Sequence, residues 1–371
     1  MQNMADAQHP NGAMPTTAPE YVVFEGPGMD AFAESPEWGG SLVIFPFMYY
    51  ETYGDDSLIK KYYQHMRRYT DYLKTRADNG ILSFGLGDWY DYGDFRAGFS
   101  RNTPVPLVAT AHYYMTVMYL IKAARMVGNE FDVRYYSSLA YDIMVAFNKR
   151  FLDSNTAQYG TGSQASNALP IFLQMIQSTG DKGDYTPDAS LAAKVLTNLI
   201  KDVESHGNRL TTGDVGNRYL IQTLARNGQH ELIYKMFNHE EAPGYGFQLK
   251  FGATTLTEQW DPRQGSSWNH FMMGQIDEWF FNSLVGIRPS TTPKQGYQKF
   301  IIAPQPVGDL KYVKASYETL YGTINVDWTC ENGTFTLNVS VPVNTTAVVY
   351  LPGEKEPKEI QSGTYQLVCA K

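Results

Sequence analysis

The hydrophobic period of this 371-residue chain changes once, at Gly286-Ile287-Arg288-Pro289, and that change limits what it can fold into. Upstream, apolar residues recur with helical spacing; downstream, they alternate with polar ones, as in half-buried strands. Phe300-Ile301-Ile302, Val313 to Tyr317, Thr323 to Trp328, Thr334 to Val341 and Ala347 to Leu351 read as short strands. Asn332-Gly333 between two of them is a hairpin signal, because both residues tolerate the left-handed backbone that a two-residue turn needs. A small antiparallel β-sandwich is therefore expected over residues 291–371, after a helical domain over 1–290, with the boundary between Pro289 and Tyr297.

Helical patterns dominate from about Trp38 to Ile287. Leu42 to Tyr53 is apolar, Ser57 to Ala77 amphipathic, and Pro106 to Met126 apolar on two faces. Asp132 to Phe151, Ala165 to Ser178, Asp188 to Ser205, Thr212 to Asn227 and Phe271 to Val285 complete the series. Gly- and Pro-containing loops separate them, and no strand–helix–strand alternation appears. Successive helices whose connecting loops carry the polar motifs imply a helical toroid with its chemistry on one rim. The first forty residues carry turn and loop chemistry instead, as in Gln8-His9-Pro10-Asn11-Gly12 and Pro15-Thr16-Thr17-Ala18-Pro19. They read as an interior loop of a larger protein, with no apolar signal-peptide core; any leader is expected upstream.

A net charge of −8 argues against a nucleic-acid or anionic-membrane partner, since both require clustered Lys and Arg. No apolar run approaches membrane-spanning length. Two cysteines, Cys330 and Cys369, exclude a disulfide framework and all but exclude a cysteine-based metal site, so neither metal nor cofactor is expected. The 27 Tyr, 19 Phe and 6 Trp are more informative, because many stand beside Gly, Asp and Asn in loop-like segments. Such rings suit surfaces that are part apolar and part wet, as a sugar is.

Three loop clusters carry the candidate chemistry. Gly85-Leu86-Gly87-Asp88-Trp89-Tyr90-Asp91-Tyr92-Gly93 combines glycines, which let the backbone turn sharply, with two carboxylates and a Trp that can stack on a sugar face. A tight turn around a buried Trp is the other reading. In Gly252-Ala253-Thr254-Thr255-Leu256-Thr257-Glu258-Gln259-Trp260-Asp261-Pro262, Glu258 stands between apolar and aromatic neighbours that can tune a carboxylate for proton transfer; a helix-start or salt-bridging Glu is the alternative. Gly265-Ser266-Ser267-Trp268-Asn269-His270 places His270 at the mouth of a helix, with Glu278 and Trp279 beyond it directed to core or rim. Thr211-Thr212-Gly213-Asp214 reads as a helix-capping loop. Trp38, in Ser35-Pro36-Glu37-Trp38-Gly39, suits sugar binding and core packing equally.

There is no Gly-x-Ser-x-Gly elbow, Walker loop, dinucleotide fingerprint or His-Glu-x-x-His pair. Carboxylates with Trp on a helical toroid suit glycoside hydrolysis, where two carboxyl groups divide acid and base roles. Six motifs in register then resemble the bacterial α-L-rhamnosidases of glycoside hydrolase family 78. They are Ser35-Pro36-Glu37-Trp38-Gly39, Gly87-Asp88-Trp89, Leu210-Thr211-Thr212-Gly213-Asp214, Pro243-Gly244-Tyr245-Gly246, Gly252-Ala253-Thr254-Thr255 with Glu258 and Trp260, and Asn269-His270.

The resemblance implies inverting hydrolysis of terminal α-linked L-rhamnose, from a glycoside or polysaccharide, on an (α/α)6 barrel followed by a β-sandwich. It makes Glu258 the general base, His270 a sugar contact, and Trp38 and Trp89 the aromatic walls of the rhamnose subsite. Asp88 and Trp260 join them as candidate substrate-binding residues. The methyl of a 6-deoxy sugar gains from contact with a ring face where a hydroxymethyl group would gain less. One part of the family pattern has no match: its general-acid Glu, expected upstream of the Gln8-to-Tyr21 loop along with the first barrel helices. The barrel is therefore expected to be incomplete. Since inversion needs both carboxyls, about 6.5–9.5 Å apart, the chain alone is expected to be nearly inactive. The competing readings are an inverting glycosidase for another neutral or deoxy sugar and a carbohydrate-binding protein without catalysis.

Overall fold

The computed structural model describes residues 1–179, 185–264, 267–290 and 296–370. The chain divides into two compact units, one of residues 1–46, 57–223 and 239–273, the other of residues 47–56, 224–238 and 274–371.

The helical unit is built around Val105–Met126, which starts with Pro106 in its first turn and is buried on nearly every side. Two amphipathic helices pack on it. Ser57–Arg76 buries Ile59, Tyr62, Tyr63, Met66, Tyr69 and Leu73, and Glu130–Phe151 buries Tyr136, Ala140, Ile143, Met144 and Phe147, both at three- and four-residue spacing. The turn between Val105–Met126 and Glu130–Phe151 is closed by polar groups. The Asn129 side chain accepts from the Asp132 amide at 3.1 Å and donates to its carboxylate at 2.9 Å, and Tyr63 donates to the same carboxylate at 2.6 Å. Replacing Asn129 by Ala is expected to cost about 1–2 kcal/mol, read as a drop in the denaturation midpoint, because it removes a helix cap and one partner of a buried carboxylate.

Gln164–Phe172 and Ala189–Ser205 follow, with two short hairpins: β1 (Leu152–Asp153) on β2 (Gln158–Tyr159), and β3 (Gln177–Thr179) on β4 (Tyr185–Pro187). The helix expected over Ala165 to Ser178 stops at Phe172. Gln174 adopts φ +56°, the Met175 amide bonds back to the Pro170 carbonyl and the Gln174 amide to Ile171. This is the glycine-type helix stop with Gln where Gly usually stands. The first forty residues, read as loop, contain the short helices Gln2–Ala7, Asp30–Ala33 and Pro36–Gly39. They are fastened rather than loose: Gln8 donates to the His65 carbonyl at 3.0 Å and accepts from Arg68 at 2.7 Å, and Met14 is buried.

The segment expected as one helix, which passes into the second unit at Gly274, is 3-10 over Phe271–Gln275, α over Ile276–Trp279 and π over Phe280–Val285. It ends at Gly286, φ +89°, where a methyl would collide with the backbone of Ala303 and Pro304. Trp279 points to the core, with its indole N–H on His230 at 3.1 Å. His230 opens the helix His230–Phe237, for which the sequence reading had no element.

The strands are β5 (Ile287–Pro289), β6 (Lys299–Ile302), β7 (Tyr312–Thr319), β8 (Gly322–Glu331), β9 (Thr334–Val341), β10 (Thr346–Val349), β11 (Lys358–Ile360) and β12 (Gly363–Ala370). They form two four-stranded sheets, β11-β10-β6-β5 and β12-β9-β8-β7. Asn332 and Gly333, both at positive φ, make the expected hairpin between β8 and β9. The second sheet is antiparallel throughout, whereas β6 and β10 in the first run parallel. The chain leaves β6 for the other sheet and returns to lie beside it in the same direction. Ile324, Val326 and Trp328 alternate inward from β8 to meet Phe335, Leu337 and Val339 of β9, and the Trp328 indole donates to the Leu284 carbonyl at 2.9 Å. Cys330 and Cys369 are both free thiols. Residues 291–295, where the domain boundary is expected, lie outside the described residues. No helix among the described residues is long and apolar enough to cross a membrane.

Candidate active site

All the candidate side chains lie in the helical unit, and its loops bring them together in two groups. The first is the turn of residues 85–93. Gly85, Gly87 and Tyr90 all have positive φ, so the backbone doubles back tightly. Its two carboxylates face inward. Asp88 is 1% exposed and accepts from the Gly216 amide at 2.6 Å, while Asp91, equally buried, accepts from the amides of Arg101 and Asn102 at 2.7 and 2.5 Å. The Trp89 carbonyl accepts from the Asp214 amide at 2.7 Å. Residues 211–214, read from sequence as a helix-capping loop, thus lock the turn from one side, and the helix Gly216–Arg226 starts just after them.

With its acids anchored below, the turn presents Trp89 half-buried at the rim. Phe32 and Phe99 stand edge-on to it, each with ring centroid 5.4 Å away, and Tyr90 lies at 4.8 Å. Phe32 and Phe99 were not singled out by sequence, since each lies outside any motif. Trp38 is half-buried too, at the end of Pro36–Gly39. The two Trp-bearing turns are joined by a chain of hydrogen bonds: the Leu86 amide donates to the Ser35 hydroxyl at 3.0 Å, and that hydroxyl donates to Glu37.

The second group is the loop of residues 256–270, closed by backbone bonds from Glu258 N to Ser267 O at 2.9 Å and from His270 N to Leu256 O at 3.0 Å. Glu258 and His270 therefore stand on facing legs of one loop. Both are half-buried, and the Glu258 carboxylate accepts from the Ser267 amide at 3.1 Å. Gly265 and Ser266, part of the third cluster, lie outside the described residues. Trp260 is 2% exposed and packs against Tyr245 at 5.3 Å, so it supports the loop from beneath. Asp261 is taken up by a two-pronged pair with Arg263.

The groups meet in a cleft of about 400 Å³ lined by Tyr90, Arg96, Ala97, Glu258, Gln259, Gln264 and Ser267. Tyr90 next to Trp89 thus faces the same space as Glu258. Beneath lies a layer of carboxyls. Burial pushes Glu37 and Asp88 each up to about 7, and raises Asp214 well above the usual range, with Asp88 and Glu258 adding like-charge repulsion. Among the described residues no group of three or more His, Cys, Asp or Glu is arranged to hold a metal ion.

The family model of the bacterial alpha-L-rhamnosidase 6 hairpin glycosidase domain matches residues 1–284, and that of the bacterial alpha-L-rhamnosidase C-terminal domain matches 286–366. The chain is 27% identical to an alpha-L-rhamnosidase of Streptomyces avermitilis over 370 residues, 97% of this chain and 33% of the relative. It is 29% identical to one of Formosa agariphila over 344 residues, 89% of this chain and 35% of the relative. The chain thus spans about a third of the length of these curated relatives. Among solved structures, the alpha-L-rhamnosidase of Dictyoglumus thermophilum superposes with a TM-score of 0.86 at 29% identity, covering 100% of this chain and 43% of that one. The Streptomyces avermitilis enzyme complexed with L-rhamnose shares the fold, with a TM-score of 0.85 at 24% identity over 99% of this chain and 36% of that one. With the two family models matched in succession along residues 1–284 and 286–366, the chain belongs to the bacterial α-L-rhamnosidases, with a match to their six-hairpin glycosidase domain followed by one to their C-terminal domain.

Proposed function

We propose that this chain carries the general base and the aromatic subsite of an enzyme that hydrolyses terminal α-linked L-rhamnose with inversion, the sugar being held by residues 1–290. The observation that carries the reading is the half-buried Glu258 on the cleft it shares with the Trp89 turn. In this role Glu258 takes a proton from water as that water attacks the anomeric carbon. Trp38, Trp89 and His270 contact the sugar. Asp88 and Trp260, both buried, act on it by fixing the turn and the loop that border it.

No described residue is assigned as the general acid. Burial makes Glu37 and Asp88 weak enough acids to hold their protons near neutrality, but each is sealed under the rim and tied to its neighbours, with no path to a glycosidic oxygen. The 371-residue chain is therefore expected to bind L-rhamnose while cleaving p-nitrophenyl α-L-rhamnopyranoside about a hundredfold or more slowly than an enzyme with acid assistance. Calorimetric titration with L-rhamnose and L-mannose tests the sugar assignment. L-Mannose differs only by a hydroxyl on the methyl carbon and is expected to bind about tenfold more weakly. Equal affinities would remove the methyl–ring contact, and no affinity for either sugar would refute the reading.

A further inference from the structure

The rim is held together by a group that the proposed reaction does not use. The Glu37 carboxyl is buried although the residue as a whole is half-buried, and its Oε1 has no hydrogen-bond partner. Its Oε2 accepts from the Ser35 hydroxyl, which in turn accepts from the Leu86 amide at 3.0 Å. The fit is close. A methyl at Gly85 would come within 2.6 Å of Glu37 Oε2 and 3.0 Å of the Ser35 hydroxyl. Glu37 immediately precedes Trp38, and Leu86-Gly87 immediately precedes Asp88-Trp89, so one carboxyl spans the bases of both aromatic walls.

The titratable groups around Glu37 come from two packed elements, Asp88 on the 85–93 turn and the Tyr69 hydroxyl on Ser57–Arg76, and neither is a cation. An ionised Glu37 would be a buried charge beside a second carboxyl, with no counterion to offset its lost hydration. As a neutral acid it brings no charge into that site, and its Oε2 still accepts from the Ser35 hydroxyl.

We propose that Glu37 is a positioning residue: as a neutral carboxylic acid it ties the Trp38 turn to the Trp89 turn and sets the gap between the two walls, and ionisation loosens that tie. Its consequence for sugar binding rests on the rhamnosidase reading; the wall geometry itself does not. Burial places the titration near neutrality, at about 7. Acid therefore favours the tied state, and rising pH releases it.

The test is fluorine NMR of the full chain labelled with 5-fluorotryptophan, from pH 5 to 9, with the two resonances assigned through Trp38→Phe and Trp89→Phe. Both are expected to move together with one midpoint near neutrality. In Glu37→Gln, which keeps a donor and an acceptor but cannot ionise, both should stay at their acid positions across the range. In Glu37→Ala both should be displaced at every pH. Circular dichroism melts establish that each variant is folded. A titration that persists in Glu37→Gln and vanishes in Asp88→Asn would assign the effect to Asp88 and overturn the proposal. So would resonances that do not titrate, or a Gln variant that behaves like Ala. For the sugar, one pH unit above the midpoint only about a tenth of the molecules hold the neutral form, so the Kd for L-rhamnose should rise about tenfold there and stay flat in Glu37→Gln. Absence of any rhamnose binding by the wild-type chain would refute the rhamnosidase reading, while the fluorine result would still decide the role of Glu37.

Discussion

Replacing Glu258 by Gln in a form of the enzyme that turns over p-nitrophenyl α-L-rhamnopyranoside is expected to lower kcat by about a hundred- to ten-thousandfold, the span of general-base contributions. In barrier terms that is about 3–5 kcal/mol. The amide keeps the size of the carboxylate, and its oxygen can still accept from the Ser267 amide, which Glu258 engages at 3.1 Å. The loop should therefore hold its shape, and KM should stay within about threefold, since the interaction removed belongs to the transition state. Steady-state kinetics on the purified variant decide it. A variant with kcat within tenfold of wild type would show that another group takes the water's proton. One with unchanged kcat and a raised KM would make Glu258 a sugar contact instead.

The order of elements was legible because it rests on periodicity, which the chain displays openly. The loss of helical spacing at Gly286 reflects a position where only glycine fits against Ala303 and Pro304, and Asn332-Gly333 advertises its own turn. Where the sequence misled, a local rule met a residue that does not carry its usual signal. The helix end at Phe172 was hidden because Gln174, not glycine, takes the left-handed position. His230–Phe237 was missed because eight residues give too little periodicity to stand out from their surroundings. For the site, composition located the loops but not the depth of each side chain within them. In Asp88-Trp89-Tyr90-Asp91, the turn sends both carboxylates to backbone amides and leaves the indole between them half-buried. Nothing in the order of residues specifies that, because the amides that receive Asp88 come from Gly216, far along the chain. Phe32 and Phe99 were invisible for the same reason: they become part of the site only through contact with Trp89.

That long-range contact makes a glycine the sharpest probe of the site's construction. Gly213 has a backbone open to any residue, so its need for glycine is steric alone. A methyl there would fall on the Trp89 carbonyl oxygen, with the Asp91 nitrogen 2.6 Å away and the Asp88 oxygen 2.7 Å away. All three are backbone atoms of one tight turn, so none can swing aside as a side-chain end could. Gly213→Ala is therefore expected to cost about 3 kcal/mol, the upper end of overpacking penalties. It should also break the bonds from Asp214 N to Trp89 O and from Gly216 N to Asp88 Oδ1, the two clamps that hold the turn. Gly228→Ala is the matching control. Its φ is +71° and a methyl there meets nothing, so it should cost only about 1 kcal/mol of backbone strain and leave the site alone. Chemical denaturation and L-rhamnose titration on the pair separate the two effects, since only Gly213→Ala should weaken the sugar as well as the fold. A Gly213→Ala chain with wild-type stability and wild-type rhamnose affinity would mean that residues 211–216 yield without moving Trp89. The wall would then be set by its aromatic neighbours rather than by the clamp beneath it.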